Sequence, residues 1–209
     1  MDTTIIVSDV LRESWKNVKS QIWILAGLVI GLCLISFTVS LFMTPLSSSL
    51  GGKVVSSLIS YIISSVFALG YIKNMFQTMD GDEPQFSAYM QNPTKLFSYM
   101  VAGILSSVLV CIGLFIFVIP GVYLYLRLQF FGQFIVDENA SALDALRKSW
   151  YLTKGRVMPL LGLLLAQLLI LIVGVILFII GVFVAYPLVI MSQCYVYRLM
   201  NKPVLEDME

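Results

Sequence analysis

Between residues 157 and 196 the chain runs for about 40 residues without one charged side chain. A membrane crossing takes about 20 predominantly apolar residues. The run therefore holds two crossings and a tight reversal, with Gly174 and Gly181 bracketing the turn. Inside a bilayer such segments must be helices, because a helix satisfies its own backbone groups where no water can. Comparable runs cover residues 22–43, closed by Thr44-Pro45, and residues 54–77, serine-rich and uncharged until Lys73. Residues 96–119 form another, with a sharp turn expected at Pro120-Gly121. A shorter run, residues 122–136, is interrupted by Arg127. The pattern predicts an all-α polytopic membrane protein with six transmembrane helices. Composition points the same way: 12% of residues are charged and 59% hydrophobic, against about 25% charged in soluble domains.

An internal repeat divides the chain. Leu11-Arg12-Glu13-Ser14-Trp15, followed by Lys19, returns 135 residues later as Leu146-Arg147-Lys148-Ser149-Trp150, followed by Lys154. Gly27 and Gly162 hold matching places in the apolar runs behind. Lys95-Leu96-Phe97-Ser98-Tyr99 is a weaker third copy. Asp82-Glu83 and Asp137-Glu138 follow the second and fourth runs, and a basic residue follows a tyrosine at Tyr71/Lys73, Tyr125/Arg127 and Tyr197/Arg198. Two hairpins also echo each other, one from Ile112-Gly113 to Pro120-Gly121 and one from Val173-Gly174 to Gly181. We expect a single membrane domain of three tandem units, residues 1–79, 80–136 and 137–209, each an amphipathic helix followed by a helical hairpin. In the third unit Ser141 is a good N-cap with Asp144 at the capping-box position. Leu143, Leu146 and Trp150 then form a stripe at i, i+3 and i+7. Such a helix lies in the membrane interface with Arg147 and Lys148 toward the headgroups, and Trp15 and Trp150 would anchor it.

With six crossings, twelve basic residues fall on the side of the termini and Lys53 alone on the other. All the acidic residues join the majority. The positive-inside rule then places both termini in the cytoplasm, here of a bacterial inner membrane. The bare outer face argues against a receptor. The first run begins only at Ile22, after Arg12, Lys16 and Lys19, and is too long for a signal peptide; it reads as a retained helix. A net charge of +1 gives no bulk electrostatic case for nucleic acid. Histidine is absent, which removes the commonest general base and metal ligand. Cys33, Cys111 and Cys194 are scattered through apolar runs without metal spacing. Asp80, Asp82 and Glu83 surround Gly81 but lack the ligand ladder of a calcium loop. No nucleophile–base set and no phosphate-binding glycine pattern is present. The expectation is a non-enzymatic protein without cofactor or metal.

Arg127 stands out. At 1.5 Å per residue it lies roughly 10 Å from the Pro120-Gly121 turn and 15 Å from Asp137, and an ionised group at such depth is a functional-site hypothesis by default. No acidic residue lies deep in any run. Either Arg127 snorkels as a structural residue, or it lines a pocket open to the cytoplasm with Tyr123, Lys73 and Arg198 that holds an anionic headgroup. Gln129, Gln133, Gln167 and Gln193 would make interhelical hydrogen bonds or line a polar path. Gly27 and Gly31, and the small ridge Ser56, Ser60, Ser64 and Ala68, allow close helix approach, within the chain or in a homodimer.

The stretch Ile119-Pro120-Gly121-Val-Tyr123-Leu-Tyr-Leu-Arg127, then Val136-Asp137-Glu138, then Ala142-Leu143-Asp-Ala-Leu146-Arg147-Lys148-Ser149-Trp150-Tyr-Leu-Thr153-Lys154-Gly155 resembles a known pattern. It resembles a poorly characterised family of bacterial six-span membrane proteins, which includes the YciC-like proteins and the membrane domain fused to some glycerophosphodiester phosphodiesterases. The likeness covers about 37 residues. It implies the six-span fold and structural roles for Pro120, Gly121, Asp137, Glu138, Ser149, Trp150, Lys154 and Gly155. That family has no settled activity, and the phosphodiesterase domain has no counterpart in this sequence. The expected function is therefore to bind or organise anionic lipid from the cytoplasmic side, with membrane lipids as partners and a homo-oligomer or another membrane protein as further ones. The alternative is a small transporter, exporter component or lipid-moving protein, for which broken helices and polar groups at the midplane are the signature. A lipid-modifying enzyme ranks third.

Overall fold

A computed structural model of the chain describes residues 5–45, 49–177 and 180–206. The tip of the last hairpin, Phe178 and Ile179, and the terminal acids Asp2, Asp207 and Glu209 lie outside it. Every regular element among the described residues is helical: α1 (Val7–Ser20), α2 (Ile22–Met43), α3 (Leu50–Asp80), α4 (Pro93–Ile116), α5 (Val118–Leu128), α6 (Phe131–Glu138), α7 (Ala142–Leu152), α8 (Val157–Ile176) and α9 (Ile180–Glu206), with a single 3-10 turn at Phe86–Tyr89. Five of them are long and apolar enough to cross a membrane: α2, α3, α4, α8 and α9. The fourth expected run, residues 122–136, is no single helix. It is divided between α5 and α6 at Gln129-Phe130.

Local chemistry sets the ends. Ser49 caps α3 by accepting from the Gly52 N–H at 3.0 Å. Gly81, at φ 88°, stops α3, and the Asp82 N–H returns to the Gln77 carbonyl at 2.9 Å, a Schellman ending that requires the left-handed conformation glycine adopts freely. The expected N-cap holds at Ser141, whose hydroxyl accepts from the Asp144 N–H and donates to the Asp144 carboxylate in place of the reciprocal backbone bond of a capping box. The expected turn at Pro120-Gly121 falls earlier, at the extended residue Phe117. Pro120 sits instead in the first turn of α5, where a missing N–H costs nothing.

Both echoing hairpins close glycine on glycine. A Cβ on Gly113 would stand 2.9 Å from the Gly121 Cα, and one on Gly181 would stand 2.8 Å from the Gly174 Cα. Gly27 and Gly31 do the opposite: nothing approaches within 4 Å of a Cβ at either. They floor an open apolar groove between α2 and α3, and the Ser60 and Ser64 ridge is exposed as well.

The buried core sits at one end of the bundle. It gathers Leu69 to Thr78 of α3, Leu126 to Val136 around the break and Met191 to Met200 of α9. Toward the other end, α4 buries only Ala102 and Gly113, while Phe115, Ile119 and Phe42 are 96%, 81% and 77% exposed. Apolar side chains this exposed need lipid around them. Polar contacts collect at the core end: Arg198 with Asp80, Gln21 with the Asp82 carbonyl, Lys95 with the Val136 carbonyl. Lys53 lies away from them, beside Leu58, Tyr61 and Ile104.

The short helices pack in a consistent sense. The 3-10 turn rests on α3, α7 on α4, α5 and α6, and α1 on α8 and α9. α7 turns Ala145, Leu146, Ser149 and Leu152 inward and leaves Leu143 58% exposed, so its packed face is rotated from the expected Leu143–Leu146–Trp150 stripe. α1 buries Val10, Ser14 and Val18.

Candidate functional site

The break in the fourth run carries the site. In a continuous helix the carbonyls of Leu126 and Arg127 would accept from the N–H groups of Phe130 and Phe131. Here the Leu126 carbonyl accepts from the Gln129 side-chain amide at 3.2 Å. The Arg127 carbonyl accepts from the hydroxyls of Ser149 at 2.9 Å and Thr153 at 3.3 Å. The Phe130 N–H donates to Ser149 Oγ at 3.2 Å. Three side chains thus replace the lost helical bonds, Ser149 from α7 and Thr153 from its C-cap among them. Buried backbone groups need such partners, so α7 is what makes the break stable. The break also brings the basic helix α7 alongside Arg127.

Arg127 ends α5, where the helix dipole favours a cation. It is 3% exposed. Its guanidinium carbon lies 4.2 Å from the centre of the Trp150 ring and 5.8 Å from that of Tyr123, and the two rings meet edge to face at 6.0 Å. Nε and Nη1 are buried without a hydrogen-bond partner. Burying a guanidinium costs several kcal/mol. A desolvated cation–π contact returns about 2 kcal/mol and the dipole up to ~2 kcal/mol, which leaves the donors on Nε and Nη1 unmet.

The other members of the expected pocket sit elsewhere. Tyr123 does join Arg127. Arg198 forms a bidentate pair with Asp80, with Nη2 to Oδ2 at 2.8 Å, and stacks on Phe76 at 4.9 Å. Lys73 lies within electrostatic range of Lys95. Among the described residues neither makes a hydrogen bond, ion pair or ring contact with Arg127, whereas Tyr123 does. Of the two expected anchors, Trp150 carries Arg127 over its ring and is half-buried, and Trp15 is 41% exposed.

Asp137 and Glu138 form a latch at the end of α6. The Tyr197 hydroxyl donates toward Asp137 Oδ2 at 3.0 Å and Glu138 Oε1 at 3.3 Å. Asn201 Nδ2 donates to Glu138 Oε1 at 2.9 Å, and Lys148 pairs with Oε2. Burial pushes the Glu138 carboxyl up, but the bonds from Lys148, Asn201 and Tyr197 outweigh it and hold its pKa below the ordinary 4.5. Lys95 caps the last turn of α6 at the Val136 carbonyl, 2.9 Å away. Lys154 is exposed, and Gly155, at φ 77°, reverses the chain into α8.

The glutamines separate into two roles. Gln167 bonds to Ser192 Oγ at 2.8 Å, joining α8 to α9. Gln129, Gln133 and Gln193 line a cavity of about 140 Å³ behind the break. Thr153, Lys95 and Asn201 were missed as site residues by sequence reasoning. Thr153 and Lys95 lay within or beside quoted motifs, but no spacing rule links residues 26 or 41 positions from their acceptors. The model of a family described as a domain of unknown function (DUF7847) matches residues 88–208, which contain the break, the latch and α7. No curated protein and no solved structure matches the chain.

Proposed function

The chain belongs to the DUF7847 family, whose function is unknown, and from that premise we propose a multi-pass bacterial inner-membrane protein that binds an anionic lipid headgroup at Arg127, without catalysis. In this reading α5 and the first part of α6 make a sixth, broken crossing over residues 118–136. Both termini face the cytoplasm, as the twelve-to-one sorting of basic residues favours. The three units form a ring, each lead-in segment seated on the hairpin of the unit before it and α1 closing on the third. The likeness to the YciC-like proteins fits this layout.

One observation carries the headgroup assignment: a guanidinium 3% exposed, 4.2 Å from the centre of the Trp150 ring, with Nε and Nη1 unpaired. A phosphate, with several charged acceptor oxygens, is the natural complement to those unmet donors. Arg147, exposed on α7, adds positive charge on the same helix as Trp150. Native mass spectrometry of the gently solubilised protein, wild type beside Arg127→Ala, tests it. A phosphate-bearing lipid retained by wild type and lost by the folded variant is the expected result. Equal retention refutes the assignment.

A second reading has its own support. The broken helix and the glutamine-lined cavity are the features a small transporter or lipid-moving protein needs and a simple scaffold does not. Substrate flux in proteoliposomes that is lost while the lipid stays bound would favour it.

A further inference from the structure

The cavity behind the break has the construction of a binding site distinct from Arg127. It is about 140 Å³ and its walls include Tyr71, Tyr99, Gln129, Gln133, Tyr186 and Gln193. They come from α3, α4, the break, α6 and α9, so every one of the three units contributes. Gln133 is 2% exposed, and its Oε1 accepts no hydrogen bond. The Cys194 thiol lies near it, but an S–H is a weak donor. A buried amide oxygen left bare is costly, and it asks for an O–H or N–H from whatever fills the space.

The lining also says what that molecule is not. None of the walls carries a charge. A full charge here would lack a counter-ion, which is costly. The aromatic walls offer flat apolar faces between polar edges. At roughly 30 Å³ per water, the volume holds about five water-sized groups. We infer that the cavity is a site for a small uncharged polyol group, hydrogen-bonded to Gln133 and Gln193 between tyrosine rings. The group belongs either to a free solute such as glycerol or to the glycerol head of a lipid.

The test uses saturation-transfer difference NMR on the full chain. In nanodiscs of phosphatidylcholine alone, added glycerol reports the free-solute source. In discs that also contain phosphatidylglycerol, the head-group glycerol protons report the lipid source. A saturable signal in one arm is expected. It should weaken about three- to tenfold in Gln133→Leu, which removes one or two hydrogen bonds. Gln193→Leu, at a half-buried wall, repeats the test should Gln133→Leu fail to fold. No saturable signal in either arm makes the cavity a water site and overturns the inference. A signal untouched by the folded variants places binding elsewhere and overturns it too. Because Arg127 is not in the walls, Arg127→Ala leaves this signal in place, which keeps failure here separate from failure of the anionic site.

Discussion

Replacing Ser149 by alanine removes one oxygen that serves both sides of the break. Ser149 is fully buried. Its hydroxyl donates to the Arg127 carbonyl at 2.9 Å and accepts from the Phe130 N–H at 3.2 Å. The carbonyl is left with the Thr153 hydroxyl at 3.3 Å, a donor it shares with the Ser149 carbonyl at 2.8 Å. The Phe130 N–H has no such substitute, and Phe130 is itself fully buried. An orphaned buried donor costs about 1–3 kcal/mol, so Ser149→Ala should destabilise the fold by about 2 kcal/mol. Ser14 occupies the same place in the first copy of the repeat and supplies the control. It too is fully buried, but its hydroxyl has no partner, so Ser14→Ala should be neutral or mildly stabilising. Reversible unfolding in mixed micelles, followed by tryptophan fluorescence, compares the two variants. Equal effects, or a loss below about 0.5 kcal/mol for Ser149→Ala, would refute the claim that α7 holds the break open.

Gly121→Ala forces a Cβ to within 2.8 Å of the Leu114 nitrogen and should cost about 1–3 kcal/mol by overpacking. Gly27→Ala meets nothing within 4 Å and should stabilise α2 by up to about 1 kcal/mol; the same unfolding assay reads both. Because the Glu138 pKa lies below 4.5 when folded, its stabilising share is complete above pH 4.5 and fades as pH falls through the lowered folded value. A pH series of melting temperatures should show that acid loss in wild type and a smaller one in Glu138→Gln. Asp80→Ala breaks the Arg198 pair, but the Asp80 side chain is 52% exposed, so the expected cost is only about 0.5–1 kcal/mol. A much larger loss in that variant would mean the pair is less hydrated than its exposure indicates.

The amino-acid sequence alone determined whatever depends on neighbours along the chain. Run length and apolarity placed α2 at residues 22–43 and α8 from residue 157, because a helix that must satisfy its own backbone is a local object. Ser141 capped where the capping rule put it, and the hairpin glycines meet in pairs because a tight reversal brings close neighbours together. Other features needed the tertiary structure. The fourth run looked like one weak span, and nothing within it says that Phe130 will give up its helical bond. That bond goes to Ser149, 19 residues on, once α7 has packed. Arg198 was grouped with Arg127 by sign and spacing, but its partner Asp80 is 118 residues away. The Gly27–Gly31 face resembled a packing seam and was left open. In each case the deciding contact joins groups that only the folded chain brings together, and their pairing energies exceed the local preferences they override.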